Sequence, residues 1–344
     1  MSRTFESIAI GFGGDPTAHE LLELALLSEK EGFGSLWIQE GIQRSPLTLS
    51  AAVLQAVRQI FVGTGVTSPF RRHPQVLALE AATLSELSGG RFILGIGAAE
   101  ASIANYGLRA KLVQAMRDAF KIIRGILSQG ICSYQGEVFS LRSVQKHLSA
   151  PNCPVYLGAI GPKMLELAGE FADGLLITRR GGFSPRYVKY ATDKVTKSAA
   201  IKGRDASKIN FLAFLETSIS KDRELAGNFI KKVLASYTIP NLPHIVMDVA
   251  VIPQDEIKAV IESATRQVTD EMVDTFAIAG TPSDCLERLS KYSEVGLKVP
   301  ILYIHGPDRK NATELAAREI LPHKNKMMIR CYLKSCNGRM NQEY

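Results

Sequence analysis

The sequence lacks the patterns that define several classes of protein. Its five cysteines, at positions 132, 153, 285, 331 and 336, show no CxxC spacing and no accompanying histidine cluster. That argues against a disulfide framework or a zinc ribbon. We find no run of about 18 apolar residues, so no transmembrane helix is predicted. The chain also leads into its first predicted strand without a signal-peptide pattern. We therefore expect a cytoplasmic protein that does not contact a membrane.

Motifs for hydrolysis and for nucleic-acid binding are missing as well. The sequence contains no Ser/His/Asp set, no HExxH and no metal-ligand spacing, so we predict no metal site. The net charge of +7 comes from scattered lysines and arginines, and the only dense basic stretch is the tail at 324–334. We therefore expect no nucleic-acid partner.

The dinucleotide-binding fingerprint of a Rossmann fold fails at three places. The GxG runs that begin at Gly11, Gly63 and Gly95 are followed by Pro16, Ser68 and Glu100 where a third glycine is needed. A Rossmann dehydrogenase is therefore not predicted.

What the chain does contain is a large apolar core and a clear strand–helix alternation. Hydrophobic residues make up 46% and charged residues 22%. Between Val57 and Glu100, a strand at Phe61–Val66, a helix at Pro74–Leu87 and a strand at 91–97 form one βαβ unit. Both strands are apolar on both faces, as expected in a covered parallel sheet.

The same alternation runs through the whole chain and predicts an α/β fold, a (β/α)8 TIM barrel with a helical insertion before the last strand. We expect one barrel domain at 1–322, including a hairpin at 131–141 and the insertion at 222–271, and a basic C-terminal tail at 323–344. An extended segment is predicted at Asp274–Ala279. The eight predicted barrel strands are 5–12, 35–38, 61–66, 91–97, 154–158, 174–177, 209–219 and 299–304.

In such a barrel the chemistry lies at the carboxyl ends of the strands. Several of these ends carry glycines and small residues, which suits a flat ring system, and Gly158–Pro162 leads into a helix whose N-terminus can bind a phosphate. The alternative is that these glycines only form tight turns.

Few ionisable residues follow the predicted strands. Glu40 and Glu100 are candidates for a general acid or for a residue that positions a proton donor. The alternative is a helix cap or an ion pair with Arg71 or Arg72. His73 is either a helix-start residue or a site residue, and the same choice stays open for His305 after the last strand.

Several of these motifs resemble one family. The segments 65–69, 84–91 and 94–97, together with 156–162, 172–174 and 280–282, are similar to the luciferase-like flavin and deazaflavin oxidoreductases. Within that superfamily, residues 5–322 most resemble the coenzyme F420-dependent methylenetetrahydromethanopterin reductases.

The resemblance implies a barrel that holds F420, or alternatively FMN, at its mouth. It implies a non-prolyl cis peptide at Gly65–Val66, an acidic residue near the substrate at Glu100, and a homodimer or higher homo-oligomer. Glu40 is the second candidate catalytic residue. The cofactor contacts that we predict are Gly65, Val66, Thr67, Gly97, Ala98, Gly158, Ala159, Ile160 and Gly161.

Two departures from the family pattern bear on the substrate. Gly11 stands where the methanopterin reductases carry a glutamate, and Glu40–Gly41 stands where many F420 enzymes have an acid–histidine pair. We therefore do not expect the alcohol or sugar-phosphate dehydrogenase mechanism, in which that histidine is the base. The predicted function is hydride transfer between reduced F420 and a small organic substrate, best matched by methylenetetrahydromethanopterin. The alternatives are an FMN-dependent monooxygenase and a non-catalytic flavin-binding relative.

Overall fold

The chain forms two compact units in a computed structural model. The structure describes residues 7–41, 44–99, 107, 111–129, 131–145, 153–178, 184–250, 253–262 and 268–323. The first unit is built from the described parts of 1–35, 177–193 and 211–344, and the second from those of 36–176 and 194–210. None of the described helices is long and apolar enough to cross a membrane.

Strands and helices alternate along the chain. The strands are β1 Ala9–Phe12, β2 Ser35–Ile38, β3 Phe61–Thr64, β4 Phe92–Ile96, β5 Ile131–Tyr134, β6 Leu141–Gln145, β7 Val155–Gly158, β8 Gly174–Ile177, β9 Asn210–Ile219, β10 Ile278–Gly280 and β11 Val299–Ile304. The α-helices are α1 Ala18–Glu31, α2 Pro46–Ala56, α3 Pro74–Ser88, α4 Leu112–Arg124, α5 Pro162–Phe171, α6 Pro185–Ile201, α7 Arg223–Val233, α8 His244–Ala250, α9 Gln254–Glu262, α10 Asp270–Phe276, α11 Pro282–Glu294 and α12 Arg309–Glu319. This order is that of a (β/α)8 barrel, as predicted, with β5–β6 as a separate hairpin.

In the first unit four parallel strands lie in the order β10-β9-β11-β1. The predicted helical insertion lies between β9 and β11. It extends further than the predicted 222–271, because α10 continues to Phe276. The extended segment predicted to start at Asp274 is therefore shorter. Met272, Val273 and Phe276 bury one face of this helix, and that packing favours a helical turn over an extended chain.

In the second unit the order is β2-β3-β4-β7-β8. Two aromatic rings fill its core where glycines leave room. The ring of Trp37, the chain's single tryptophan, lies over Gly63, and the ring of Tyr156 lies over Gly174. The two rings stack with centroids 5.9 Å apart. A Cβ on either glycine would come within 2.5–2.7 Å of these rings, so both positions exclude a side chain.

The connection from α3 to β4 matches the prediction closely. Gly89 ends α3 in a left-handed conformation, φ 64°. Arg91 then donates to the carbonyls of Ser88, Ile60 and Leu54 at 3.0–3.3 Å. The run 84–91, which carries the family resemblance, therefore ends α3 and fixes the amino end of β4. Its role is structural, because the chemistry of such folds lies at the opposite ends of the strands.

The hairpin extends beyond the predicted 131–141, since its second strand begins at Leu141 and ends at Gln145. Asp118 of α4 explains the longer turn. Its carboxylate accepts hydrogen bonds from the N–H groups of Val138 and Phe139 and from the hydroxyl of Tyr134. Burial raises the pKa of Asp118, but these hydrogen bonds outweigh burial, so the pKa lies below its usual value. Asp118 thus holds the turn as a charged side chain.

Candidate active site

Glycines and small side chains form a floor at the carboxyl ends of three strands in the second unit. These strands are neighbours, because β3 pairs with β4 and β4 with β7 in parallel. The segments that follow them, 65–67, 97–98 and 158–161, contain every predicted cofactor contact and no side chain larger than Ile160. We call these three segments the glycine floor.

Backbone hydrogen bonds join the first two segments of the floor. The N–H of Thr67 donates to Gly95, and the N–H of Gly97 donates to Thr67, both at 2.9 Å. The peptide bond between Gly65 and Val66 is cis, as the family resemblance implied. A Cβ on Gly97 would lie 2.6 Å from Cγ2 of Val66. Only glycine at position 97 therefore allows this close approach.

Two features of the floor fit a flat cofactor with a phosphate. Thr67 is fully buried, and its hydroxyl has no hydrogen-bond partner among the described residues, so it can serve a polar edge of a bound ring. Gly161 is the N-cap of α5 and provides no side-chain cap, while the space beside its Cα is open. A helix N-terminus of this kind suits an anion. The residues present therefore fit a deazaflavin or a flavin mononucleotide.

Glu40 lies in the second unit, two residues beyond β2, in an ion-pair cluster. Its side chain is only 4% exposed. Oε1 accepts a hydrogen bond from Arg72 at 2.7 Å, while Oε2 accepts one from the N–H of Ser68 at 3.0 Å and lies 3.8 Å from Nε of Arg71. The ion pair weighed as an alternative for Glu40 is present. A catalytic role for Glu40 stays a prediction.

This cluster organises the loop that follows the floor. Arg71 donates to the carbonyl of Gly41 at 2.8 Å, and the hydroxyl of Ser68 donates to the carbonyl of Ala98 at 3.2 Å. The chain at 68–72 is thus fixed to β2 on one side and to the floor on the other. His73 caps α3, where its Nδ1 accepts the N–H of Gln75 at 3.2 Å. A helix-start role is therefore the one that the structure shows for His73.

A second pair of ionisable side chains occurs in the first unit. Glu216 of β9 is fully buried, and its Oε2 is hydrogen-bonded to Nε2 of His305, which follows β11 and is 6% exposed. The two residues are 89 positions apart in sequence. No spacing rule identifies such a pair, and the sequence indicated only that each lies near a strand end.

The other predicted catalytic residue, Glu100, lies outside the described residues. Among the residues that the structure describes, no group of three or more His, Cys, Asp or Glu side chains could hold a metal ion.

Comparison with known proteins agrees with this geometry. Residues 4–298 match the family described as luciferase-like monooxygenase. The 5,10-methylenetetrahydromethanopterin reductase of Archaeoglobus fulgidus is 31% identical over 91% of this chain and 98% of its own. An F420-dependent glucose-6-phosphate dehydrogenase of Rhodococcus erythropolis is 26% identical over 88% of this chain and 94% of its own.

Among solved structures, the coenzyme F420-dependent tetrahydromethanopterin reductase of Methanopyrus kandleri aligns with a TM-score of 0.83 at 26% identity. The alignment covers 92% of this chain and 99% of that one. This likeness confirms the predicted (β/α)8 barrel. The chain belongs to the luciferase-like monooxygenase family, on the branch that contains F420-dependent oxidoreductases.

Proposed function

We propose that the protein is an F420-dependent reductase of 5,10-methylenetetrahydromethanopterin, an enzyme of one-carbon metabolism. The observation that carries the proposal is the glycine floor, where three neighbouring strands end without a long side chain. The near full-length similarity to the Archaeoglobus reductase supports the substrate.

In this proposal the floor binds and orients the cofactor. Gly65–Thr67 and Gly97–Ala98 would hold the ring, and Gly158–Gly161 before α5 would hold the phosphate. Bound reduced F420 supplies a hydride. Glu40 keeps Arg72 and the Ser68 loop in place, so the floor is formed before the cofactor binds. Glu100 remains a predicted acid near the substrate.

The surroundings of Glu40 argue against the sugar-phosphate substrate of the Rhodococcus relative. A base on this loop needs a free ring nitrogen, but position 41 is a glycine whose carbonyl binds Arg71. The carboxylate of Glu40 is occupied by two arginines and an N–H group. Among the described residues of the loop after β2, none therefore provides a base for oxidising an alcohol.

Turnover with defined substrates tests the proposal. The purified protein is mixed with reduced F420 under anaerobic conditions, together with methylenetetrahydromethanopterin. We expect oxidation of F420 that depends on the pterin. In the reverse format, oxidised F420 with glucose 6-phosphate or a secondary alcohol should give no reaction. Rapid reduction of F420 by either of these compounds would contradict the substrate assignment, and oxygen consumption with reduced FMN would indicate a monooxygenase.

A further inference from the structure

The hairpin β5–β6 has no role in the function proposed so far, although it belongs to the same unit as the glycine floor. It packs along α4, the helix that precedes it. Nζ of Lys121 lies 5.4 Å from the centroid of the Tyr134 ring, and Glu137 in the turn forms an ion pair with Lys111, the N-cap of α4. At 1.5 Å per residue, the hairpin therefore follows about 15 Å of the helix, and its turn lies at the amino end of α4.

Asp118 and Gly136 shape this turn. The carboxylate of Asp118 accepts hydrogen bonds from the N–H groups of Val138 at 2.8 Å and Phe139 at 3.2 Å. A Cβ on Gly136 would lie 2.5 Å from Cγ of Asp118 and 2.2 Å from the carbonyl oxygen of Phe139. Only a glycine therefore lets the turn close around the carboxylate, and the position of Phe139 is set by α4.

From this turn the ring of Phe139 contacts the loop that follows β3. Its centroid lies 5.4 Å from that of Phe70 and 5.8 Å from that of His73, which it meets edge-on. Aromatic pairs of this kind contribute more than the area that they bury. Because His73 caps α3, Phe139 packs against both the loop and the start of the next helix.

The loop that Phe139 contacts is the one joined to the glycine floor. The N–H of Phe70 donates to the hydroxyl of Ser68 at 3.3 Å, and that hydroxyl donates to the carbonyl of Ala98 at 3.2 Å. Glu40 holds the N–H of Ser68 from the side of β2. Direct contacts through Phe70 and Ser68 thus connect Phe139 of the hairpin with Ala98 of the floor.

We propose that Phe139, held in place by Asp118, is a positioning residue for the cofactor, because its ring keeps the loop at 68–72 against the floor before F420 binds. This inference rests on the proposed function. Without the ring, the floor is formed in a smaller fraction of the molecules, and the measured dissociation constant for F420 rises as that fraction falls. The hairpin then sets the affinity of the floor without being part of it.

Fluorescence titration with F420 tests the proposal. Phe139→Leu should raise the dissociation constant about fivefold or more, whereas Phe139→Tyr keeps the ring and should bind as the wild type does. Phe171→Leu is the matched control, because Phe171 is a half-buried aromatic residue of the same unit that stacks on Phe120 and ends α5, away from the floor. It should leave F420 affinity unchanged. Equal losses of affinity in both leucine variants, or no loss in Phe139→Leu, would overturn the proposal.

Hydrogen–deuterium exchange of the cofactor-free protein provides a second readout. The amides of Ser68 and Phe70, which are hydrogen-bonded in the structure, should exchange faster in Phe139→Leu than in the wild type and in Phe171→Leu. If the wild type binds no F420, the proposed function fails and the exchange alone decides the inference. Faster exchange in Phe139→Leu then supports the positioning role, and unchanged exchange overturns it. If Phe139→Leu does not fold, Asp118→Asn takes its place, with the same direction expected in both measurements.

Discussion

Glu40 and Glu216 are buried glutamates near the carboxyl ends of strands, one in each unit, but they have different partners. Glu40 faces two arginines and an N–H group. Glu216 faces the imidazole of His305, which follows β11.

The difference shows that the partner, and not the carboxylate, decides what a buried acid does. The Glu40 cluster fixes a loop in place, whereas Glu216 holds one imidazole ring against β9. If that comparison is correct, removing the charge of Glu40 should cost more stability than disturbing the place of the His305 ring.

The largest loss of stability is expected for Glu40→Gln. A neutral amide removes the carboxylate that faces Arg71 and Arg72 and leaves Glu80, at 3.8 Å, beside Arg72. The loss should lower the free energy of unfolding by about 3 kcal/mol. Urea unfolding measures this, because the single tryptophan, Trp37, is buried in the same unit and reports by fluorescence. Glu287→Gln is the control, since Glu287 is 75% exposed in its pair with Lys291 and should cost about 0.5 kcal/mol or less. Equal losses in both variants would contradict the role given to Glu40.

The next largest loss of stability is expected for Gly13→Ala. The added methyl group overlaps the imidazole of His305 and should lower the free energy of unfolding by about 2 kcal/mol. The ring would then have to leave its position beside Glu216. Gly227→Ala is the matched control, since Gly227 lies in α7 with open space beside it. That change should stabilise the helix by about 0.5–1 kcal/mol. Wild-type stability in Gly13→Ala would contradict the close approach of this glycine and the histidine.

A smaller effect is expected for Gly97→Ala in the glycine floor. Its Cβ would press on Val66 and should raise the dissociation constant for F420 about tenfold, equal to about 1.4 kcal/mol. Fluorescence titration of F420 measures the change, with Gly227→Ala again as the control. An unchanged dissociation constant would mean that the cofactor does not lie on the floor.

The smallest of the four stability and binding effects is expected for Asp118→Asn, at about 1 kcal/mol. The pKa of Asp118 is lowered in the folded protein. Its contribution to the free energy of unfolding is therefore complete above the pKa of the unfolded chain, about 3.9. That contribution is lost as the pH falls through the lower pKa of the folded protein. Urea unfolding of both proteins between neutral and acidic pH should show the difference shrinking below about pH 4. Asp193→Asn, at an exposed pair with Lys189, should show little difference at any pH.

Local patterns predicted most of the fold. The α3–β4 connection was predictable because a glycine stop and an apolar strand are adjacent in sequence. The end of α10 and the length of the hairpin were not. They depend on the packing of Phe276 and on hydrogen bonds to Asp118, which lies 20 residues before Val138.

The same distinction holds for the candidate site. The glycine floor consists of residues that come directly after strands, so it could be predicted from the sequence. The cluster around Glu40 was predictable only as one alternative, because Arg72 is 32 residues away. The Glu216–His305 pair requires two strands to be neighbours before the two side chains can meet.

Paired titrations of the wild-type protein with F420 and with FMN, followed by fluorescence, test directly whether the glycine floor binds F420. We expect micromolar or tighter binding of F420 and much weaker binding of FMN. Tight FMN binding without F420 binding would contradict it and would favour the monooxygenase chemistry of the wider family.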